Sequence, residues 1–155
     1  KTTGYAESVR ELNYNQDNPL TENESIILGE INSYIIARET FDINDLQARY
    51  LKLQLSTEGT EFLRYATALE EENQTLTADV TRKVLVKSIV PNQANKSATI
   101  RFSTNTQIRN QLVEDHWVAT LTYDFQNLPI ELKRKYINPL GFIVLTYRVD
   151  QENIK

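Results

Sequence analysis

The spacing of the apolar side chains changes once along this chain, near residue 80, and this change constrains the fold more than any other feature. Before it, apolar residues recur at every third or fourth position, which is typical of helices that bury one face. After it, Val84 and Val86 alternate with Lys83 and Lys87, which is the pattern of a β-strand. Helices first and strands second indicate an α+β domain.

Three helices are predicted before residue 80. Thr21 and Glu24 have the spacing of a capping box, and the helix behind them extends to about Thr40. Asp42 can cap a second helix, and Gly59 lies near the junction with a third. The apolar stripes are Ile27, Leu28, Ile31, Tyr34 and Ile35 in the first helix, Ile43, Leu46, Tyr50 and Leu53 in the second, and Phe62, Tyr65, Ala66 and Leu69 in the third.

An antiparallel meander of about four strands is predicted for the second half of the chain. The first strand covers residues 80–90, and Pro91-Asn92 opens a hairpin connection to a second strand that holds Ile100 and Phe102. After a polar loop, the third strand covers residues 115–125 and turns its aromatic face inward. Strands of this length predict a sheet that curves strongly around the helices.

A single domain is predicted for residues 19–155. Residues 1–18 hold few apolar side chains, and we expect a loosely attached arm in which Tyr5–Val9 is at most a short edge strand. The chain starts at Lys1, contains no Met and has no run of roughly 20 apolar residues. It is therefore expected to be a piece of a longer protein, and an upstream membrane anchor would lie outside it.

Several classes of function are excluded by what the sequence lacks. A net charge of −4 and scattered Lys and Arg residues give no basic surface for phosphates, so direct nucleic-acid binding is not expected. The four glycines are too far apart for a dinucleotide fingerprint or a phosphate loop. With no Cys and with His116 as the only His, a zinc site lacks its usual ligands. We therefore predict no metal, no cofactor and no catalytic residue.

Two alternative functions use a pocket at one end of such a sheet. An isomerase or dehydratase would need an acidic base and a tyrosine donor, for which Asp115, His116 and Tyr123 are the candidates. A small-molecule carrier would use an apolar cavity. The aromatic residues that could line this cavity are Tyr34, Tyr50, Tyr65, Trp117 and Tyr123.

The run Asn138-Pro139-Leu140-Gly141 has the residue preferences of a type I β-turn. It joins a short helix predicted over residues 129–136, which Pro129 can begin, to a last strand predicted over residues 142–150. This position places Leu140 and Phe142 at a corner, where their side chains are either buried or offered to a partner.

The same turn carries a resemblance to a known family. Asn138-Pro139-Leu140-Gly141-Phe142, followed by Val144, Tyr147-Arg148 and Asp150, resembles the C-terminal signature of the eighth VirB component of type IV secretion systems. Three upstream segments resemble the first helix and the middle strands of this family, so the resemblance covers nearly the whole chain. These segments are Tyr34–Glu39, Ala98–Phe102 and Trp117–Leu121.

This resemblance implies a fold, a role and a set of partners. The fold is like that of nuclear transport factor 2, with helices on the concave side of a strongly curved antiparallel sheet. The role is non-enzymatic assembly of a channel for conjugation or effector export, through a weak homodimer and contacts with other secretion subunits. The domain would lie in the periplasm, held to the bacterial inner membrane by one segment that is absent from this chain.

The resemblance also implies where self-association would take place. One region is the first helix, with Tyr34, Arg38 and Glu39. The other is the turn with its flanking residue, which comprises Asn138, Pro139, Leu140, Gly141 and Phe142. For both regions, the hypothesis is that the residues form a protein interface, not that they take part in a reaction.

Overall fold

A computed structural model describes residues 22–75, 79–126 and 136–153 and contains helices followed by strands. The helices are α1 (Glu22–Glu39), α2 (Leu46–Ser56) and α3 (Gly59–Thr75), and the strands are β1 (Val80–Asn92), β2 (Ser97–Ile108), β3 (Gln111–Phe125) and β4 (Phe142–Gln151). The arm predicted at 1–18, Thr21 of the predicted capping box and the short helix predicted from Pro129 lie outside the described residues, apart from Tyr136, which is in a turn.

The four strands form one antiparallel sheet in the order β1-β2-β3-β4. The predicted α+β class and the predicted meander are therefore confirmed. The pairing register shifts once between Val86 and Ser88 in β1 and once between Thr122 and Tyr123 in β3. Such irregularities bend a strand and increase its local twist.

The polar loop predicted between the second and third strands is wrong. Both strands continue as a long hairpin, in which Ile108 pairs with Gln111 and only Arg109 and Asn110 form the turn. Arg109 has a positive φ of 56°, a conformation that a two-residue hairpin turn requires at one or both central positions. At the end of this hairpin, most side chains on both faces of the sheet are at least partly exposed. Polar residues therefore occur on both faces, and the sequence there lacks the alternation of apolar and polar residues that predicts a strand.

The start of the second helix is also later than predicted. Asp42 does not cap α2; its Oδ1 accepts a hydrogen bond from the backbone N–H of Asn44 at 3.0 Å. The guanidinium of Arg49 donates to the carbonyl oxygens of Thr40 and Asp42, which holds this segment in a turn. Ile43 is consequently 44% exposed and does not belong to the buried stripe.

The core lies between the three helices and one face of the sheet. α1 packs against β1, and both α2 and α3 contact β4. The inward aromatic face predicted for the third strand is confirmed by Leu121 and Tyr123, which are buried, whereas Phe125 at the strand end is partly exposed. Within the described part of the chain, no helix is long and apolar enough to cross a membrane.

Candidate functional site

The side chain of Asn138 joins three parts of the chain at the predicted turn. Its Nδ2 donates to the carbonyl oxygens of Leu55 at 2.8 Å and Phe142 at 3.0 Å, while its Oδ1 accepts the N–H of Phe142 at 3.1 Å. Leu55 lies in the last turn of α2, where carbonyl groups lack helical partners. The buried amide of Asn138 thus ties the end of α2 to the first residue of β4.

Gly141 occupies a position that only glycine fits. Its φ is +68°, in the left-handed region, and a Cβ atom added there would lie 1.8 Å from the carbonyl oxygen of Gln126. Its N–H donates to the carbonyl of Asn138 at 3.4 Å, and its own carbonyl accepts the N–H of Gln126 at 2.8 Å. The predicted four-residue turn is therefore present, and it is fastened to the end of β3.

The two apolar residues of the turn region have different environments. Phe142 is 2% exposed and stacks on Tyr123 with 5.6 Å between ring centroids, and it also contacts Tyr34 and Phe125 edge-on. Leu140 is 46% exposed. The choice that the sequence left open is thus resolved residue by residue, with Phe142 in the core and Leu140 at the surface.

Tyr34 and Arg38 on α1 lie in a buried polar network. The guanidinium of Arg38 donates to the hydroxyl of Tyr34 at 3.0 Å and to Glu61 of α3 at 2.7 Å. The side chains of Arg38 and Glu61 are 8% and 9% exposed. Arg38 also lies over the ring of Tyr147, 4.0 Å from its centroid, which is the geometry of a cation–π contact. This network fixes α1 against α3 and β4.

A second polar group connects the end of α1 to the sheet. The hydroxyl of Tyr147 donates to Glu39 at 2.6 Å, and Arg82 of β1 donates to the backbone carbonyl of Glu39 at 2.8 Å. Arg82 also forms a forked pair with Glu72 of α3. Glu39, at the end of α1, is therefore bonded both to β4 and to β1.

Burial sets the protonation of this group. It raises the pKa of Glu39, although the Tyr147 hydrogen bond and the nearby Arg82 and Arg38 partly oppose the rise. It also raises the pKa of Tyr65 to about 12 and that of Tyr147 well above its usual value. Both phenols remain protonated at neutral pH, and the hydroxyl of Tyr147 is a donor to Glu39.

A cavity of about 560 Å³ opens between α1, α3 and the sheet, beside this network. Four arginines contribute to its wall, namely Arg38, Arg64, Arg82 and Arg148, together with Glu39, Glu72, Tyr65 and Tyr147. Of the aromatic residues predicted for an apolar cavity, only Tyr65 lines it. Tyr34 and Tyr123 are buried in the core. This cavity therefore gives no support to the alternative of an apolar carrier pocket, because its wall carries several charged groups.

The residues proposed for an isomerase do not converge. Asp115 and His116 are consecutive in a strand, so their side chains point to opposite faces of the sheet. Tyr123 lies about 23 Å farther along β3. His116 contacts the ammonium of Lys87, and Asp115 accepts from Gln151 at 3.2 Å. Among the residues that the structure covers, no three acidic or His side chains gather to hold a metal ion.

The outer surface of α1 differs from its buried face. Tyr34 is 1% exposed and, like Arg38, points into the domain. Ile26 and Ile36, by contrast, are 36% and 41% exposed, and a Cβ added at Gly29 would meet nothing within 4 Å. The residues named for self-association on this helix therefore lie beneath its accessible face.

Sequence reasoning missed the partners of Arg38 and Glu39. Glu61 is 23 positions from Arg38, and Tyr147 is 108 positions from Glu39. Only the spacing of Glu61 and Arg64 on one helix face could have indicated an ion pair. Nothing in the sequence links that pair to α1.

Comparisons with known proteins identify relatives over most of the chain. A family described as VirB8 protein matches residues 1–152. The type IV secretion system protein virB8 of Brucella abortus biovar 1 (strain 9-941) is 33% identical over 129 residues. That match covers 79% of this chain and 54% of the relative, so the chain spans about half the length of this curated protein.

Solved structures share the fold. The soluble domain of TrwG from the type IV secretion machinery of Bartonella grahamii superimposes with a TM-score of 0.79 at 27% identity, covering 87% of this chain and 99% of that one. A TraE protein in complex with 4-(1H-pyrrol-1-yl)pyridine-2-carboxylic acid has a TM-score of 0.77 at 27% identity, covering 86% and 100%. The predicted fold class is confirmed by these structures.

Proposed function

This chain belongs to the VirB8 family of type IV secretion proteins, and from that premise we propose that it is a non-enzymatic assembly component. It self-associates weakly, contacts other secretion subunits and requires no cofactor. Its place is the periplasm, with a membrane segment outside this chain holding it to the inner membrane. The observation that carries the proposal is the division of α1 into an inner face fixed by buried polar contacts and an outer face with exposed isoleucines.

The outer face of α1 suits contact with a second copy of the same helix. Ile26, Gly29, Ser33 and Ile36 follow one another at intervals of three and four, so they lie along one stripe. Glycine in the middle of the stripe allows close approach, and the isoleucines at its two ends supply apolar surface. In a two-fold dimer the same patch meets itself, so one helix face is sufficient. Tyr34, Arg38 and Glu39 support this face from below.

The turn contributes to the interface through its exposed members. Pro139 and Leu140 are exposed, whereas Asn138 and Phe142 are buried. We assign the contact to Pro139 and Leu140, while Asn138, Gly141 and Phe142 hold the turn in shape. This division separates variants that weaken a contact from variants that unfold the corner.

We expect this chain to form a dimer with a micromolar dissociation constant, and Ile36→Lys to weaken it about tenfold or more, because the change places two charges in an apolar contact. Sedimentation velocity over a range of concentrations measures the effect. Leu63→Lys is the matched control, since Leu63 is 66% exposed on α3 and its replacement should leave the dimer unchanged. A strictly monomeric chain at high concentration, or equal weakening by both variants, contradicts the proposal.

A second candidate function is the binding of a small aromatic carboxylate. Two observations favour it. The related TraE protein forms complexes with pyridine-carboxylic acids, and the cavity of this chain is lined by arginines. Arg38 and Arg82 are held by Glu61 and Glu72 at the inner wall. Arg64 and Arg148 have side chains that are 64% and 77% exposed, so these two arginines of the cavity are able to redirect a donor to a ligand carboxylate.

For this second function, 2-(2-furyl)isonicotinic acid at ten times its dissociation constant is expected to raise the melting temperature by about 4 °C. Arg64→Gln should reduce the shift to less than about 1 °C, because one charged donor is lost. Arg101→Gln is the control, since Arg101 is 58% exposed and outside the cavity. Equal shifts for the two variants, or no shift in the unchanged protein, would exclude the cavity as the site.

A further inference from the structure

β3 is longer than the strand beside it. β4 pairs with residues Trp117 to Phe125 of β3, whereas β2 pairs with β3 as far as Gln111. Residues 111–116, named here the free end of β3, thus have a strand on one side only. Among residues 22–75, 79–126 and 136–153, no strand pairs with the other side of the free end.

The backbone of the free end points hydrogen-bonding groups toward that open side. The carbonyl of His116 points to the open side, because it accepts the N–H of Glu152 at 2.7 Å. The N–H of Tyr123 points to the other side, toward β2, and donates to the carbonyl of Lys96 at 2.9 Å. Since these directions alternate along a strand, the N–H and C=O groups of Leu112 and Glu114 also face the open side. An extended polypeptide is the ligand that satisfies such a row of groups.

The other sheet edges carry features that discourage pairing. β1 has Lys83, an irregularity after Val86 and Pro91, and the N–H of Glu58 bonds the carbonyl of Val144 on the edge of β4. Lysines, bulges, prolines and covering loops are the usual means of protecting an edge. The free end is covered only at His116, by the N–H of Glu152; from Gln111 to Asp115 it has no lysine, proline or irregularity, and no segment of the described residues bonds its open side.

Apolar side chains accompany the open backbone. Leu112 is 69% exposed and Val113 is 43% exposed, on opposite faces of the sheet. Ile108 and Val149, which are 38% and 37% exposed, lie on the same face as Val113. A strand added here would bury apolar surface on both faces.

The charges of the free end determine which kind of peptide segment can pair with it. Glu114 has a side chain that is 57% exposed, Asp115 follows it, and the free end contains no Lys or Arg. A second copy of this edge would therefore bring like charges together, whereas a basic residue opposite Glu114 forms a favourable cross-strand pair.

We propose that the free end of β3 binds an extended segment of a partner protein by strand addition. The segment runs antiparallel to β3, with a basic residue opposite Glu114 and apolar residues opposite Val113 and Leu112. The inference concerns a surface that is separate from α1 and from the turn, so it stands or fails independently of the proposed dimer.

The probe is a capped synthetic peptide, Ser-Lys-Val-Val-Thr-Ser, titrated into the isotope-labelled 155-residue chain. We expect amide chemical-shift changes centred on residues 111–116 and slower hydrogen exchange at Leu112 and Glu114. A peptide with Glu in place of Lys should bind about fivefold more weakly, because a like-charge pair replaces a favourable one. Leu112→Pro removes an N–H from the open side and should abolish binding.

Two variants keep the test decisive if Leu112→Pro disturbs folding. Glu114→Lys should reverse the preference, so that the Glu peptide binds more tightly than the Lys peptide. Leu85→Lys removes an equally exposed leucine from β1 and should change neither affinity. Slow exchange at Leu112 and Glu114 before peptide is added, shifts centred on β1, or an unchanged preference in Glu114→Lys would each overturn the proposal.

Discussion

Gly141→Ala is expected to lower the free energy of unfolding by about 4 kcal/mol, the largest single effect that we predict. Three costs act together. The left-handed φ of +68° disfavours any side chain, the new Cβ would lie 1.8 Å from the Gln126 carbonyl oxygen, and the relief of this clash lengthens the hydrogen bond from Gln126 to Gly141. Urea denaturation followed by circular dichroism measures the change.

Gly59→Ala provides the control for this prediction. Gly59 begins α3, and a Cβ added there meets nothing within 4 Å. Its replacement should change the free energy of unfolding by less than about 1 kcal/mol. If the two alanine variants unfold at the same urea concentration, the turn is not the joint that its geometry indicates.

Arg38→Met is expected to lower the free energy of unfolding by about 3 kcal/mol, because it leaves Glu61 largely buried with only the exposed Arg64 as its ionic partner. The variant also removes the donor to Tyr34 and the cation over the Tyr147 ring. Thermal or urea unfolding at neutral pH measures the loss. In the unchanged protein burial opposes the charge of Arg38, but Tyr34 and Glu61 more than offset it and raise its pKa.

Two further variants identify the cause of that loss. Arg148→Met removes an arginine from the same cavity, but one that is 77% exposed, and should cost less than about 0.5 kcal/mol. The double variant Arg38→Met, Glu61→Gln should recover about 1–2 kcal/mol, because the uncompensated carboxylate is gone. The single variant Glu61→Gln completes the cycle, and strict additivity of Arg38→Met and Glu61→Gln would show that the ion pair does not stabilise the contact between α1 and α3.

Apolar periodicity correctly predicted the helices and strands that bury one face in the core. α1 and β4 have the predicted extent, because Ile31, Tyr34 and Val144 recur on faces that pack into the core. The hairpin end between β2 and β3 was missed because residues such as Asn105 and Glu114 are polar and at least partly exposed. The late start of α2 was missed because Arg49 holds the carbonyls of the preceding turn, a contact that local spacing does not reveal.

The candidate site could be predicted only in part for a related reason. The glycine of the turn follows from the residue preferences of the turn itself, so Gly141 was identified from its neighbours. The bond from Asn138 to Leu55 spans 83 positions and that from Tyr147 to Glu39 spans 108. Contacts of this kind depend on the packed fold, so the burial of Arg38 was not evident from its helical spacing.

The strand order of the sheet has a consequence for how the chain folds. Because β1, β2, β3 and β4 are neighbours in the same order as in the chain, the contacts of the β1–β2–β3 hairpins form without closing a long loop. The bonds from Asn138 to Leu55 and from Tyr147 to Glu39 close much longer loops. We expect substitutions in the β2–β3 hairpin to slow folding, and substitutions at Asn138 or Tyr147 mainly to speed unfolding.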